Sequence, residues 1–401
     1  MVAIPMRWVV LGLAGVSTVI NYIDRQALAV LLPVLRQNLG LTSIDYGTAT
    51  TLFLVAYTVG QFSSGIFIDH FGTRRGFAWC VAAWSVAAAL HALARGPASL
   101  FVLRLVLGLT QAGTWPAGTK AVAEWFPKER RALAMGVFDG GSAIGVILAP
   151  PMVASLALAW GWRAAFIATG GLGLIWVSLW LKVYRPGPAG GGGPFLPSGL
   201  RGLLGLRALW GLMLTRMLAT PVWWFYVFWL PDYLSGERGF SLKEIALFGW
   251  IPFLAVDIGK IAGGSASDWL LARGCSVTWA RKTVMAVGAL AMLGGVRVAG
   301  AETSAGAIYW VSVAIFGVGL WSANILALHA DIFPAGAMGT AIGITGTAAS
   351  LGGAVFTYAT GWIVHAHGYA PAFWIAGTAA LGAFLCTVFV LGKVEAVKLA
   401  S

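Results

Sequence analysis

The chain has 401 residues, 59% hydrophobic and only 10% charged, with a formal net charge of +12. Soluble domains carry about 25% charged residues, so this composition excludes a soluble globular protein and indicates an all-α chain that crosses a membrane many times. Nucleic acid is not needed to explain the basic balance, because the placement of Lys and Arg explains it below.

The N-terminal stretch MVAIPMRWVV has no small-residue cleavage site after a short apolar core, so no signal peptide is expected. Apolar runs fall at about 8–34, 45–68, 76–94, 99–123, 131–158, 163–183, 207–234, 244–271, 280–300, 305–328, 337–364 and 370–392. Each exceeds the ~18 residues a crossing needs, which predicts twelve transmembrane helices.

The first run carries Asn21-Tyr22-Ile23-Asp24-Arg25. At ~1.5 Å per residue, Asp24 and Arg25 fall roughly 25 Å into the helix, near the middle of a bilayer. An ionised side chain there costs at least ~2.5 kcal/mol, so the pair faces protein or a water-filled cavity. It is either functional or a buried ion pair that fixes the helix.

The second run ends in Gly65-Ile-Phe-Ile-Asp69-His70-Phe71-Gly72-Thr73-Arg74-Arg75. Gly65 suits close helix approach, Gly72 a tight turn, and Arg74 and Arg75 the headgroup region. Asp69 sits at a helix C-terminus, where a carboxylate wants a cation or another helix N-terminus. In the fourth run Arg104 and Gln111 lie seven residues apart on one face. Arg104 suits bidentate recognition of a carboxylate, or else snorkels to the outer headgroups. Lys120 and Glu124 form an i,i+4 pair with a structural reading. In the fifth run Asp139 and Ser142 share a face at i,i+3.

A Gly- and Pro-rich linker, 184–206, divides the chain into a half at 1–183 and a half at 207–401. The halves repeat. Glu124-Trp-Phe-Pro127 with Gly136, Gly141 and Gly145 matches Asp331-Ile-Phe-Pro334 with Gly343, Ala348 and Gly352 at a constant offset of 207. Two helical halves with matching punctuation are a common carrier plan, with the site near the midplane. In the second half Arg216 has no acid within one turn, so it is held by carbonyls or faces the cavity. Asp257 and Lys260 are spaced to neutralise each other. Trp321 and Asn324, at i,i+3, suit the face of a sugar.

Loops on the side of the termini carry fifteen Lys and Arg against six on the other side, so both termini are expected in the cytoplasm. Three separated cysteines and five scattered histidines match no metal spacing, and no cofactor is expected. No Gly-x4-Gly-Lys-Ser/Thr, His-Glu-x-x-His or Gly-x-Ser-x-Gly motif occurs, which disfavours an ATP-driven pump and an enzyme.

The turn from Gly65 to Arg75 resembles the signature of the major facilitator superfamily. That resemblance implies a cytoplasmic gate at Gly65, Asp69, Gly72, Arg74 and Arg75. The run QAGTWPAGTKAVAEWFPKERRALAMG, with NYIDRQ, FWLPDYL, DIGKIAGGSASDWL and LWSANILALHADIFP, is similar to the anion:cation symporter branch, and within it to hexuronate and aldonate transporters. The likeness covers nearly the whole chain. It implies substrate contact for Tyr22, Arg25, Tyr57, Arg104 and Ser142, with the arginines on the substrate carboxylate, and proton coupling for Asp24. The branch has a coupling Glu where Gln111 stands, and Gln111 cannot titrate. Asp139 stands where the branch has an amide or hydroxyl, so the acid has moved to the fifth helix, or Asp139 merely pairs with a nearby cation.

The expected protein is thus a proton-coupled carrier of a small organic anion, a sugar acid by resemblance, acting as a monomer in the plasma (inner) membrane with lipid around it. Another carboxylate as substrate, or an exporter of amphipathic compounds, is the same-fold alternative. An intramembrane enzyme or receptor would need a catalytic constellation or a soluble domain that the chain lacks.

Overall fold

The computed structural model describes residues 6–126, 131–185, 200–333 and 335–397, though not the side chains at 62, 66, 69, 123, 131–133, 200, 201 and 334–340. The side chains of Asp69, Arg131 and Arg201, together with Lys128, Arg130, Pro127, Pro334, Lys398, the first five residues and the linker run 186–199, therefore lie outside the described residues.

The described chain is helical, without a strand. Its helices are α1 (Met6–Leu39), α2 (Ser43–Leu90), α3 (Pro97–Gln111), α4 (Thr114–Trp125), α5 (Arg131–Val183), α6 (Leu200–Leu204), α7 (Arg207–Gly236), α8 (Leu242–Phe248), α9 (Ile251–Ala272), α10 (Val277–Met292), α11 (Gly294–Ala299), α12 (Ser304–Ile332), α13 (Ala335–His367) and α14 (Tyr369–Cys386), continued by a π-turn at Thr387–Leu391. The twelve expected crossings map onto them. Helices α2 and α5 each hold two, reversing at Gly72 (φ 76°) and Gly161 (φ 84°). A left-handed residue is a glycine's conformation, because a Cβ there meets the following carbonyl. The fourth crossing breaks between α3 and α4 at Ala112 and Gly113. Eight helical stretches among the described residues are long and apolar enough to cross a membrane, and one of them, Ala134–Val183, is 50 residues long.

Burial has the polarity of a membrane protein. Trp160, Ile261 and Trp279 are each 72% exposed, whereas Asp24, Arg25 and Arg104 are at most 2% exposed. Apolar surface outside and charge inside is stable only where the surroundings are hydrocarbon.

The chain forms two compact units. One comprises Met1–Phe195 and Leu230–Trp250; the other comprises Leu196–Trp229 and Ile251–Ser401. In the first, Arg36 at the end of α1 donates to Asp232 (2.9 Å) and to Ser43 Oγ (2.7 Å), and Asp232 is buried.

Glycines set the helix contacts, and they do so alike in both units. A Cβ on Gly145 of α5 would stand 2.6 Å from the Val19 carbonyl oxygen and 2.8 Å from Tyr22 Cβ on α1. Its repeat partner Gly352 on α13 lies equally tight against the Met217 carbonyl of α7. Gly108 on α3 abuts the Phe53 carbonyl of α2, and Gly319 on α12 abuts the Val256 carbonyl of α9. The acids of the repeat are both held, though by different partners. Glu124 accepts from Thr73 Oγ1 (2.5 Å) and from the Tyr184 hydroxyl, and Asp331 accepts from Arg281 Nε (3.0 Å). Lys120, one turn before Glu124, reaches the Ile68 carbonyl with its Nζ (3.5 Å). A side chain at Gly145 would drive α5 off the helix that carries the buried charges. Gly145→Val is expected to cost ~1–3 kcal/mol, the usual range for overpacking, read as a lower unfolding temperature in detergent.

Candidate functional site

The buried charge of the first unit hangs on α1. Helix α1 packs chiefly on α5, and α2 on α3, through the glycine contacts just described. Those close approaches bring polar side chains of α1, α2, α3 and α4 together.

Arg25 lies in an aromatic frame. Its guanidinium carbon is 4.7 Å from the Tyr22 ring centroid, 4.7 Å from Tyr57 and 5.2 Å from Phe53. Its Nη2 donates to Asn21 Oδ1 at 3.3 Å. Ring faces attract a cation, and a planar guanidinium stacks on them better than an ammonium. Arg104 on α3 lies over the other side of the group, 5.9 Å from the same Phe53 ring. It is 2% exposed, and its Nε and Nη2 have no hydrogen-bond partner. Snorkelling to headgroups is thereby replaced by burial.

Asp24 is the corresponding buried acid. Neither carboxylate oxygen makes a hydrogen bond. Thr169, Arg104 and Trp84 stand around it without closing a bond of ordinary geometry. A buried Asp24–Arg25 ion pair, one of the two sequence readings, does not form. Successive helix residues point about 100° apart, so Arg25 turns to the aromatic frame and Asp24 to the side of Arg104.

Gln111 and Asn21 tie the first and fourth crossings. Gln111 Nε2 donates to the Asn21 carbonyl (3.3 Å), and Asn21 Nδ2 donates to Thr114 Oγ1 (2.9 Å). An ionised glutamate has no hydrogen to give that carbonyl, so the amide suits this place. Asp139 is half-buried on α5 and acts electrostatically on the Tyr22 hydroxyl; Ser142 Oγ donates to the Asp139 backbone carbonyl (2.7 Å).

At the turn, Gly72 takes the left-handed conformation, and Arg74 donates to the Leu181 carbonyl (2.5 Å) while its own carbonyl accepts from Trp180 Nε1 (3.0 Å). Arg75 is exposed. A Cβ on Gly65 would meet nothing within 4 Å among the described residues.

In the second unit, Asn324 is buried and donates to the Gly263 carbonyl of α9 (3.2 Å), with its Oδ1 unpartnered, and Trp321 is buried beside it. Lys260 and Asp257 pair at 3.5 Å, as their spacing suggested. Sequence reading missed Phe53, Trp84 and Thr169. Phe53 had a signal, since it lies one helical turn before Tyr57 and shares its face. Trp84 and Thr169 are an indole and a hydroxyl in apolar runs and carry no linear signal. No group of three or more metal-ligating side chains occurs among the described residues.

The chain is 31% identical over 391 residues to the hexuronate transporter of Escherichia coli K12, covering 92% of this chain and 90% of that one. It is 34% identical over 310 residues to the galacturonate transporter of Dickeya chrysanthemi, covering 72% and 90%. It is 28% identical over 421 residues to the D-galactonate transporter of E. coli O6:H1, covering 98% and 97%. Among solved structures, the D-xylose-proton symporter superposes with a TM-score of 0.78 at 15% identity, over 98% of this chain and 100% of that one. The bacterial homologue of the human lysosomal transporter Spinster, inward-facing and unoccupied, superposes with a TM-score of 0.77 at 19% identity, over 97% and 95%. Residues 14–357 match the model of the Major Facilitator Superfamily. With twelve crossings in two repeated halves, charge buried inside apolar helices and that match, the chain belongs to the Major Facilitator Superfamily and is a multi-pass membrane transporter, not an enzyme.

Proposed function

We propose that the chain imports a sugar acid, a hexuronate or aldonate, together with protons by alternating access. The observation that carries this reading is the buried Arg104 guanidinium, two of whose nitrogens bond to nothing while a buried acid, Asp24, stands by without closing an ion pair. A guanidinium so placed welcomes a substrate carboxylate, which supplies the hydrogen bonds it lacks. The names of the similar transporters narrow the anion to a sugar acid.

In this reading Arg25 and Arg104 hold the carboxylate. Tyr22, Tyr57, Gln111, Ser142, Trp321 and Asn324 meet the rest of the sugar. A carboxylate drawn to Arg104 competes with Asp24, which then takes a proton, so the reorienting site carries less charge. Asp139 is the second acid of the first half. The halves 1–183 and 207–401, joined by 184–206, expose the site alternately, with Gly65, Asp69, Gly72, Arg74 and Arg75 as the cytoplasmic gate. The chain acts as a monomer in the inner membrane with both termini in the cytoplasm. The cavity cations disfavour an exporter of cationic amphiphiles.

A thermal-shift screen against galacturonate, glucuronate, galactonate, glucarate, aromatic acids and short monocarboxylates tests the substrate class, because a ligand raises stability by RT ln(1 + [L]/Kd). Sugar acids are expected to stabilise most; stabilisation by none of them would end this reading. In proteoliposomes, galacturonate should accumulate under an inward proton gradient and stop doing so with a protonophore. The gate is tested by Asp69→Asn, which should slow uptake while equilibrium binding persists. Loss of binding in the folded variant would remove Asp69 from the gate.

A further inference from the structure

The second unit holds a half-buried cation of its own. Arg216 on α7 has no carboxylate partner among the described residues. Its Nη1 donates to Thr345 Oγ1 (2.9 Å) and to the Ile342 carbonyl (3.3 Å) on α13, which leaves Nε and Nη2 without a hydrogen-bond partner among the described residues. Gly346 of α13 lies beside that edge, where a Cβ would stand 3.9 Å from both Nη1 and Nη2 in ordinary van der Waals contact.

Thr345 leads on to His329 of α12. His329 Nε2 lies 2.9 Å from Thr345 Oγ1, and both residues are fully buried. The other ring nitrogen, Nδ1, is 2.7 Å from the Ile325 carbonyl. A carbonyl only accepts, so Nδ1 carries the hydrogen. In the neutral ring Nε2 then accepts, and the Thr345 hydroxyl donates to it.

We propose that Arg216, Thr345 and His329 form a second anion-and-proton site, in which a carboxylate binds the Nε–Nη2 edge of Arg216 and a proton binds His329 Nε2. The proton needs no heavy-atom movement. Once Nε2 is protonated it donates to Thr345 Oγ1, and the hydroxyl hydrogen swings to the Ala341 carbonyl (2.9 Å) or the Ile342 carbonyl (3.2 Å). The oxygen still accepts from Arg216. No covalent bond breaks other than that to the proton donor, water.

Charge couples the two ligands. Arg216 is the charged group that acts on His329. On the neighbouring α9, Lys260 and Asp257 pair with each other, and on α10 Arg281 is held by Asp268 and Asp331, the latter two residues along α12 from His329. An imidazolium beside an uncompensated guanidinium is opposed. A carboxylate on Arg216 cancels that opposition, so anion and proton favour each other reciprocally. The inference rests on the proposed anion transport for its physiological ligand, though the site itself is defined by its own residues.

Two measurements test it. The first is calorimetry of galacturonate binding in buffers of different ionisation heat, which counts protons taken up. His329→Gln and Thr345→Val should lower that count, Thr345→Ser should keep it, and Arg216→Gln should also weaken binding by ~10-fold or more. If wild type binds galacturonate and His329→Gln and Arg216→Gln match it in both affinity and proton count, the site does not exist. The second uses acetate and ring-labelled histidine, with the His329 signal identified by its loss in His329→Gln. At pH 6, acetate should move that signal toward the imidazolium position in wild type and not in Arg216→Gln. An unmoved signal in wild type overturns the proposal. If acetate moves it while no sugar acid binds, the site stands and the substrate reading falls.

Discussion

Arg104→Lys and Arg25→Lys are expected to weaken sugar-acid binding by roughly 30-fold or more, the change that about 2 kcal/mol brings when a buried charged partner is lost. Lysine keeps the charge and removes the plane. At Arg104 the loss falls on Nε and Nη2, the two nitrogens left without protein partners and so available to a carboxylate. A single ammonium cannot offer two parallel donors. At Arg25 the loss falls on the stacking between Tyr22, Tyr57 and Phe53, which holds the guanidinium flat. Calorimetry on variants with unchanged unfolding temperatures reads the effect. Unchanged affinity in both lysine variants would falsify the carboxylate clamp. Phe53→Leu should weaken binding less than either, since it touches both guanidiniums and no substrate atom in this reading.

Asp24→Asn is expected to abolish proton-driven accumulation while leaving substrate exchange across the membrane. The amide cannot take a proton, yet it keeps the shape beside Thr169 and Trp84. Asp139→Asn separates the two acids of the first half. If the coupling acid has moved to the fifth helix, this variant also loses accumulation, and Gln111→Glu in that background recovers part of it. Recovery has a physical limit. The amide hydrogen from Gln111 to the Asn21 carbonyl is lost in the glutamate unless the new acid is protonated. Normal accumulation by Asp139→Asn under a pH gradient would leave Asp24 as the coupling acid of the first half. Normal accumulation by Asp24→Asn would remove Asp24 from coupling altogether.

The linear chain determined the architecture because each of its determinants is local or periodic. A crossing is a run of apolar residues, and the repeat is a constant offset of 207 that joins Glu124 to Asp331 and Gly145 to Gly352. Charges such as Asp24, Arg25, Arg104 and Arg216 stood out for the same reason, each an expensive residue in an apolar run. What each charge meets was decided only by packing. Neighbours in sequence diverge by about 100° on a helix, so Arg25 found Tyr57 and Phe53 on α2, while Asp24 turned toward Arg104 on α3. Gln111 reached the Asn21 carbonyl, and His329 met Thr345 and, through it, Arg216. Those partners lie between 16 and 129 residues apart. Glycines that let helix backbones approach bring such partners together, and nothing in the order of residues along one helix says which face of another it will meet.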